Sequence, residues 1–317
     1  MTASGPVLGR FSNLTASEPT RLAVCSDLHL SVDAQGTWRV SHRTQERLEA
    51  AVASLNRQSL DGVVFNGDLV QYGTRAEYEA FDRIIDALEV PFVAIPGNHD
   101  LTQFGPGPKR TLSEFERRYT PGELPYRTRI GGIDLLALNS NQSTHDSIAE
   151  TYVGRLDDRT LEWLSTQLAS ADHPLVAVHH NLPGTRAMLT AATADFDVED
   201  GSPRFENADE LVAVLENAPG SPPLVVTGHV HFPAVERTGA VREFTLPALG
   251  PYPGAYTVFE VTETGATATL HSVLDHDARI EALASGLENC RVLLAASQLA
   301  GVPLVEDVAA VPTAWMT

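Results

Sequence analysis

Positive charge is scarce in this chain of 317 residues, which has 22 Lys and Arg against 41 Asp and Glu and a formal net charge of −19. Lys109 is the only lysine. Proteins that bind nucleic acid phosphates or anionic lipid depend on a basic surface. We therefore expect neither stable nucleic-acid binding nor docking on a membrane surface.

Cysteines and long hydrophobic runs are also few. Cys25 and Cys290 are the only cysteines, far apart in sequence, which favours reduced thiols over a disulfide framework. The apolar stretch at residues 292–305 is interrupted by Ser, Gln, Gly and Pro, so it does not predict a membrane span. Residues 1–19 lack the basic start and apolar core of a signal peptide. We expect a cytoplasmic protein.

Short apolar runs rich in Val, Ile and Leu predict strands that are buried on both faces. They span residues 21–26, 62–67, 91–97, 174–180 and 223–229. Segments with an apolar stripe at helical spacing lie between several of these strands. They span residues 44–58, 74–88, 158–170 and 207–217. The first half of the chain is therefore β-α-β-α-β.

Antiparallel signals dominate the second half of the chain. Residues 126–130 and 133–139 flank Gly131-Gly132, a two-residue hairpin signature. Four further strand patterns between residues 232 and 274 predict a meander, and a long helix is predicted near 278–298. Many strands with helices in only some gaps predict an α/β protein, a four-layer α/β/β/α sandwich of two mixed β-sheets flanked by helices.

We divide the chain into an extension at residues 1–19, one domain at residues 20–275, and a C-terminal helix and tail at residues 276–317. No linker or low-complexity stretch separates two larger domains.

Each of the five apolar runs ends on polar residues. In chain order these are Asp27 and His29; Asp68; Asn98, His99 and Asp100; His179 and His180; and His229 and His231. A single Asp after a strand is more often a turn residue, and a single His pair is more often polar surface. Five such strand ends, all with oxygen or imidazole groups, are implausible as coincidence, because function in open sheets gathers at the carboxyl ends of strands.

The side chains at these strand ends are of the kinds that bind metals. Carboxylate, amide and imidazole groups without thiolate favour Mn, Fe, Ni or Zn in an open site over a closed structural zinc site. Even seven of these ten residues as ligands are too many for one ion with an open position. With one bridging carboxylate, seven ligands suit two ions.

Spacing within these segments supports a shared site. Asp27 and His29 are two apart, so in an extended chain both side chains point to one side, and His229 and His231 share that spacing. Glycines at positions 67, 97 and 228 precede polar residues, and we expect them to relieve crowding where backbones converge.

The ordered set D-x-H, G-D, G-N-H-D, H and G-H-x-H resembles the calcineurin-like metallophosphoesterases over residues 20–275. This superfamily consists of di-metal enzymes on an α/β/β/α sandwich. The uninterrupted GNHD segment at residues 97–100 and the compact size look most like the class III cyclic-nucleotide phosphodiesterase branch. The tyrosine ligand of the purple acid phosphatases has no evident counterpart.

The resemblance implies a ligand set for two divalent or mixed-valence ions (Mn, Fe, Zn or Ni). The first ion would be bound by Asp27, His29, Asp68 and His231. The second would be bound by Asp68, Asn98, His179 and His229, with Asp68 as the bridge. His179 is preferred over His180 because the family's ligand is the first histidine. Family members usually show Pro soon after it, whereas Asn181 and Leu182 intervene here before Pro183, so the choice stays open.

The resemblance also implies a reaction, the in-line attack of a metal-bridging hydroxide on a phosphoric ester. His99 could give a proton or hydrogen bond to the leaving oxygen, and Asp100 could orient its ring. We expect a phosphodiesterase acting on small nucleotides or similar diesters. The alternatives are a phosphomonoesterase, a relative of DNA exonucleases, and a scaffold that has lost the chemistry. The oligomeric state stays open.

Other polar segments carry weaker signals. Residues 195–206 place carboxylates at EF-hand offsets, but the glycine is one position late and a solvated acidic loop explains them as well. Arg39, His42 and Arg43 could reach a substrate phosphate, although a solvated helix start is the favoured interpretation. The long polar segment 184–206 is expected to cover the site and set substrate choice.

Overall fold

The structure is a computed structural model that describes residues 5–32, 37–101, 107–141, 152–193 and 204–300. The strands in these ranges are β1 (Val7–Phe11), β2 (Thr20–Cys25), β3 (Gly62–Asn66), β4 (Phe92–Ile95), β5 (Tyr126–Ile130), β6 (Ile133–Ala137), β7 (Val153–Gly154), β8 (Pro174–Ala177), β9 (Arg204–Phe205), β10 (Leu224–Thr227), β11 (Ala234–Thr238), β12 (Val241–Thr245), β13 (Ala255–Thr262) and β14 (Gly265–Ser272). The helices are α1 (Thr44–Asn56), α2 (Arg75–Ile85), α3 (Leu112–Tyr119), α4 (Asp158–Leu168), α5 (Pro183–Ala192), α6 (Ala208–Glu216), α7 (His276–Ser285) and α8 (Cys290–Ala300), with a short 3-10 helix at Ser41–Arg43.

Within the described ranges, the strands form two six-stranded mixed sheets and a small two-stranded one. The first sheet has the order β1-β14-β13-β2-β3-β4, in which β2, β3 and β4 run parallel. The second has the order β11-β12-β10-β8-β6-β5, in which β12, β10, β8 and β6 run parallel. In both sheets the parallel strands end at one edge.

The apolar side chains form layers that hold this sandwich together. Val24 and Val64 of the first sheet pack in one cluster with Ala177 and Val226 of the second, between the sheets. A second cluster covers the outer face of the first sheet with α1, α2 and α3, and a third covers the outer face of the second sheet with α4 and α6. The predicted α/β/β/α sandwich is confirmed.

The local predictions for single elements largely hold. The hairpin at Gly131-Gly132 joins β5 to β6. Thr74 and Glu77 form a capping box at the start of α2, because the side chain of each accepts a hydrogen bond from the backbone N–H of the other. No helix in the described part of the chain combines the length and the apolar composition that crossing a membrane requires.

Two predictions about the second half were wrong. The four strands between residues 232 and 274 do not form one meander, because β11 and β12 belong to the second sheet and β13 and β14 to the first. The connection at residues 246–254, which contains three prolines and two glycines, crosses between the sheets. The predicted long helix near 278–298 is two helices, α7 and α8, interrupted after Ser285.

Strand β1 was not predicted. It lies in the segment assigned to an extension and pairs antiparallel with β14 at the edge of the first sheet. Its sequence, VLGRF, contains a glycine and an arginine, and its register shifts between Val7 and Gly9. So short and irregular a strand has little alternation of its own, and its partner lies far away in sequence.

Candidate metal centre

The polar strand ends meet where the two sheets face each other. Asp27 and His29 follow β2, Asp68 follows β3, and residues 98–100 follow β4, all in the first sheet. The two histidine pairs follow β8 and β10 of the second sheet. The sandwich therefore brings side chains from both sheets to one buried place, as the order of motifs predicts.

A first cluster contains Asp27, His29, Asp68 and His231, all buried, with potential ligand atoms within 4.8 Å of one another. The Nε2 atoms of His29 and His231 lie 2.9 Å apart. His231 Nε2 is 3.3 Å from Asp27 Oδ1, and His29 Nε2 is 3.6 Å from Asp68 Oδ2. Two carboxylates and two imidazoles thus converge on one point.

A second cluster shares Asp68 with the first and adds His179 and His229, again with ligand atoms within 4.8 Å. His179 Nε2 lies 3.3 Å from Asp68 Oδ2. Asn98 lies beside this cluster, with its Oδ1 atom 2.9 Å from His229 Nδ1. The structure therefore brings together all seven residues that the resemblance assigned as ligands, and Asp68 occupies the shared position.

The donor set fits two metal cations. Among the described residues, the Nε2 atoms of His179 and His229 are buried and make no hydrogen bond, whereas buried polar atoms nearly always have a partner. His29 and His231 face each other through ring nitrogens that are both acceptors when both rings coordinate. Imidazole nitrogens and carboxylate oxygens aimed at common points suit borderline divalent ions.

The backbone that presents these groups is left-handed, not extended. The φ angles are 54° at Asp27, 47° at His29, 53° at Asp68, and 70° at both His229 and His231. The expectation of an extended chain was therefore wrong. Asp27 and His29 nevertheless face one cluster, as their spacing predicts, whereas His229 and His231 face different clusters. Non-glycine residues in this region cost about 1–3 kcal/mol each, a strain that clusters at functional sites.

Hydrogen bonds between neighbouring strand ends hold this strained backbone. Asp27 N donates to Gly67 O at 3.0 Å, and His29 N donates to Asp68 O at 2.9 Å. The Asp27 carboxylate in turn accepts from His229 N, at 3.0 and 3.1 Å to its two oxygens. Asp27 thus joins the strand ends of both sheets as well as facing the first cluster.

The predicted role of the glycines is confirmed at Gly97 and Gly228. A Cβ atom at Gly97 would collide with the backbone nitrogen and the carboxylate of Asp68. A Cβ atom at Gly228 would collide with Ser26 Oγ and approach Asp27 Oδ2 to 2.7 Å. Side chains at either position would push the candidate ligands apart.

Burial and neighbouring charges set the protonation of the cluster. Burial lowers the pKa of His29 and His229 well below the ordinary value, and lowers that of His231 to about 4. At His179 burial acts in the same direction, but the Asp68 carboxylate outweighs it and raises the pKa to about 9. Burial alone would raise the pKa of Asp68, but the positive charge of His179 outweighs it and holds the pKa of Asp68 well below the usual range.

These directions matter for metal binding, because only neutral imidazole nitrogens bind metals. Three of the four imidazoles are neutral at neutral pH. Metal binding at His179 has to displace a proton that Asp68 otherwise stabilises.

The structure places His99 beside the clusters and corrects the role proposed for Asp100. His99 Nδ1 lies 2.7 Å from the backbone oxygen of Gln71, which orients the ring. The Asp100 carboxylate instead accepts from the backbone N–H groups of Gly97, Leu69 and Val70, at 2.8, 3.2 and 3.2 Å. Asp100 therefore holds the strand ends together and does not orient His99.

The two neighbouring histidines differ in surroundings. His179 belongs to the second cluster, and its Nδ1 atom lies 2.9 Å from Asn66 O. His180 lies with its Nδ1 atom 2.7 Å from Ser140 Oγ, and its ring packs against that of His229 at a centroid distance of 4.7 Å. The geometry thus supports the preference for His179 as a ligand.

Sequence reasoning missed a buried carboxylate behind the histidine segments. Glu243 on β12 accepts from Thr227 Oγ1 at 2.6 Å, Thr185 Oγ1 at 2.7 Å, and Asn181 Nδ2 and Leu182 N at 3.1 Å. It thereby ties the segment after His179 to the end of β10, which precedes His229. The one available signal was Asn181, which stands near the position where family members usually have Pro.

The segments with weaker signals have simpler explanations where they are described. His42 and Arg43 contact Glu281 on α7, which favours the surface interpretation over a phosphate site. The segment 184–206 begins as helix α5 instead of a loop, and its residues 194–203 lie outside the described residues, as does most of the acidic stretch 195–206. Glu206 pairs with Arg155 at 3.5 Å.

Comparison with known proteins decides the family. The model of the calcineurin-like phosphoesterases matches residues 20–233 of the chain. The chain belongs to this family. A protein named as a probable cyclic nucleotide phosphodiesterase from Synechococcus sp. is 31% identical over 228 residues, which cover 72% of this chain and 79% of the relative.

Two further relatives extend the comparison. The glycerophosphodiester phosphodiesterase GpdQ of Enterobacter lignolyticus is 31% identical over 62% of this chain and 66% of its own length. The crystal structure of a dimetal phosphatase from Danio rerio superposes with a TM-score of 0.59 at 14% identity, covering 81% of this chain and 98% of that one. The structural match supports the fold alone.

Proposed function

We propose that this phosphoesterase hydrolyses phosphodiesters of small molecules, such as nucleotides or glycerol derivatives, at a centre of two metal ions. The observation that carries the proposal is the pair of buried ligand clusters that share Asp68. Relatives named as cyclic nucleotide and glycerophosphodiester phosphodiesterases support a diester over a monoester. The substrate is expected to be small, because the acidic chain offers no basic footprint for nucleic acid.

The candidate ligands would form two sets that share Asp68. Asp27, His29, Asp68 and His231 would hold one ion; Asp68, Asn98, His179 and His229 would hold the other. Two divalent ions there supply activation of water and neutralisation of phosphate charge. Mn, Fe, Zn and Ni all suit this ligand set.

His99 is the residue we assign to the leaving group. Since its Nδ1 atom faces the Gln71 oxygen and carries a hydrogen, a neutral ring has a bare Nε2 atom and only the imidazolium donates from it. Burial lowers the pKa of His99, so the imidazolium is a stronger acid than that of an ordinary histidine but the minor form at neutral pH. We therefore expect hydrolysis of esters with alkoxide leaving groups to speed up as the pH falls toward that pKa.

A panel of chromogenic diesters and monoesters, assayed with Mn²⁺, Fe²⁺, Zn²⁺ and Ni²⁺ in turn, tests the proposal. We expect hydrolysis that requires added metal and favours diesters, together with about two bound ions per chain by elemental analysis. A higher kcat/KM for monoesters would establish the phosphomonoesterase alternative. Two bound ions without hydrolysis of any ester would establish the scaffold alternative.

A further inference from the structure

Helix α8, which lies beyond the region matched by the family model, brings an arginine to the candidate metal centre. Val292 and Ala295 of α8 pack in one apolar cluster with Val230 and Phe232. This packing places Arg291 beside the segment that carries two of the candidate ligands. Its Nη1 atom donates to the backbone oxygen of His229 at 3.1 Å.

A second arginine, Arg39, lies near the same segment because Trp38 connects it to His231. The ring of Trp38 lies against that of His231, with centroids 5.5 Å apart and planes 31° apart. Arg39 lies over Trp38, with Cζ 4.7 Å from the ring centroid. The contacts of Arg39 with Trp38 and of Trp38 with His231 place this guanidinium next to the first cluster.

Neither guanidinium is neutralised by a carboxylate of the residues that the structure describes. Arg118, by contrast, pairs with Asp82 and Asp86 at 3.2 and 2.6 Å. Arg39 Nε is buried and lacks a hydrogen-bond partner within the described ranges. In a chain with a net charge of −19, two cations beside the candidate active site that form no ion pair with the described residues suit an anion.

The charge balance indicates how much negative charge the substrate carries. Two divalent ions against the carboxylates of Asp27 and Asp68 leave roughly two positive charges, which a diester anion and one deprotonated water would offset. Arg39 and Arg291 add two more positive charges that a simple diester leaves unbalanced. Guanidinium groups bind anionic oxygen groups well because their donors form a planar fork.

We propose that Arg39 and Arg291 bind a second anionic group of the substrate, so that the preferred diester carries a carboxylate or a phosphate on one of its ester arms. This inference rests on the proposed phosphodiesterase function and narrows its substrate class. Arg39 and Arg291 would then determine specificity, while the metal clusters carry out the hydrolysis common to the family.

Two diesters with the same leaving group test the proposal. 4-Nitrophenyl ethyl phosphate and 4-nitrophenyl 2-carboxyethyl phosphate differ in one carboxylate on the retained arm. We expect the metal-loaded protein to favour the carboxylate ester by about tenfold in kcat/KM, the size of one weak hydrogen bond between charged groups. The double variant Arg39→Met/Arg291→Met should reduce that ratio below about twofold. The ratio should also fall with rising ionic strength.

Binding of the products gives a readout that does not depend on turnover. Isothermal titration should show tighter binding of 2-carboxyethyl phosphate than of ethyl phosphate, and the double variant should lose the difference. Arg279→Met is a matched control, because this arginine on the preceding helix α7 is exposed and donates to Ser272 Oγ. It should keep the wild-type ratio. Arg291→Lys should keep part of it, since the charge remains and the fork is lost.

The outcomes separate the inference from the function on which it rests. Equal kcat/KM for the two diesters in wild type, or a preference that survives in the double variant, overturns the inference. Loss of bound metal with an equal loss on both diesters also overturns it, because Arg291 would then only position His229. Wild-type protein that cleaves neither diester refutes the proposed function, while the titration with the two products still tests the anion site.

Discussion

Asp68 is the residue on which both clusters depend. Its carboxylate lies 3.6 Å from His29 Nε2 in one cluster and 3.3 Å from His179 Nε2 in the other. Asp68→Ala should therefore lose at least one ion and nearly all hydrolysis, which elemental analysis and a diester assay will measure. Two tightly bound ions with normal turnover in this variant would contradict the bridging role.

The neighbouring histidines provide a matched pair of substitutions. His179→Ala should empty the second metal position, because its Nε2 atom faces Asp68 and makes no hydrogen bond among the described residues. His180→Ala should retain both ions and mainly alter substrate kinetics, since this ring packs on His229 and lies beside Ser140. Metal titrations of the two variants decide the assignment, and the reverse result would exchange the roles.

His99 can be tested through the leaving group. His99→Ala should keep both ions and cost about 10²–10⁴-fold on diesters with alkoxide leaving groups, the range of general acid catalysis. The loss should be much smaller on nitrophenyl esters, because nitrophenolate leaves without help. A series of diesters with graded leaving-group pKa measures this, and a slope no steeper than that of wild type refutes the role.

At the scale of elements, the candidate ligands could be predicted because strand order decides where they meet. The carboxyl ends of β2, β3 and β4 share one edge of their sheet, so motifs in chain order are enough to place Asp27, Asp68 and Asn98 together. The hairpin at Gly131-Gly132 and the capping box at Thr74 were likewise predictable, because their signals are local.

The features that sequence could not predict depend on partners distant in the chain. The assignment of β11 and β13 to different sheets follows from pairing, which alternation within a strand does not specify. The partner of Glu243 at Asn181 and that of Arg291 at His229 are 62 residues away in each case. Nothing local in the sequence marks the contact of Arg291, and Asn181, near the position of the family's usual Pro, is the one local sign of the contact of Glu243.

The Glu243 network predicts a large loss of stability when its carboxylate is removed. Glu243→Ala would remove the acceptor of Leu182 N and the shortest hydrogen bonds of the Thr185 and Thr227 hydroxyls, and we expect a decrease of about 3–5 kcal/mol in the free energy of unfolding. Urea denaturation measures it. Glu236→Ala is the control. Glu236 is the register partner of Glu243 in the antiparallel pair β11 and β12, but it is only partly buried.

Glu243→Gln sharpens the test of that network. Glutamine keeps the shape of the side chain and one acceptor oxygen. Glu243→Gln should therefore decrease the free energy of unfolding clearly less than Glu243→Ala does. Equal losses in the Ala variants at positions 243 and 236 would show that the hydrogen bonds to Glu243 contribute little.

At the scale of the whole molecule, the metal centre joins the two sheets. The first sheet supplies Asp27, His29, Asp68 and Asn98, and the second supplies the histidines after β8 and β10. Without ions, the protonated His179 offsets the charge of the buried carboxylates at this junction only in part. Ion binding should therefore stabilise the packing of one sheet on the other.

Melting curves measure this stabilisation. At metal concentrations about 100-fold above the dissociation constant, the free energy gain is about 2.7 kcal/mol, which in a domain of this size raises Tm on the order of 5–10 °C. Treatment with a chelator should reverse the increase, and Asp68→Ala should show much less of it. An unchanged Tm in protein that demonstrably binds two ions would argue against a junction held by metal.

The left-handed backbone at the candidate ligands has a consequence for how this chain can diverge. Asp27, His29, Asp68, His229 and His231 each hold a conformation that glycine or asparagine adopts with less strain. A descendant released from selection for hydrolysis would gain stability by replacing the histidines among these residues with glycine or asparagine, while its sandwich stayed intact. Loss of chemistry in such a lineage should therefore begin at the strand ends and proceed quickly.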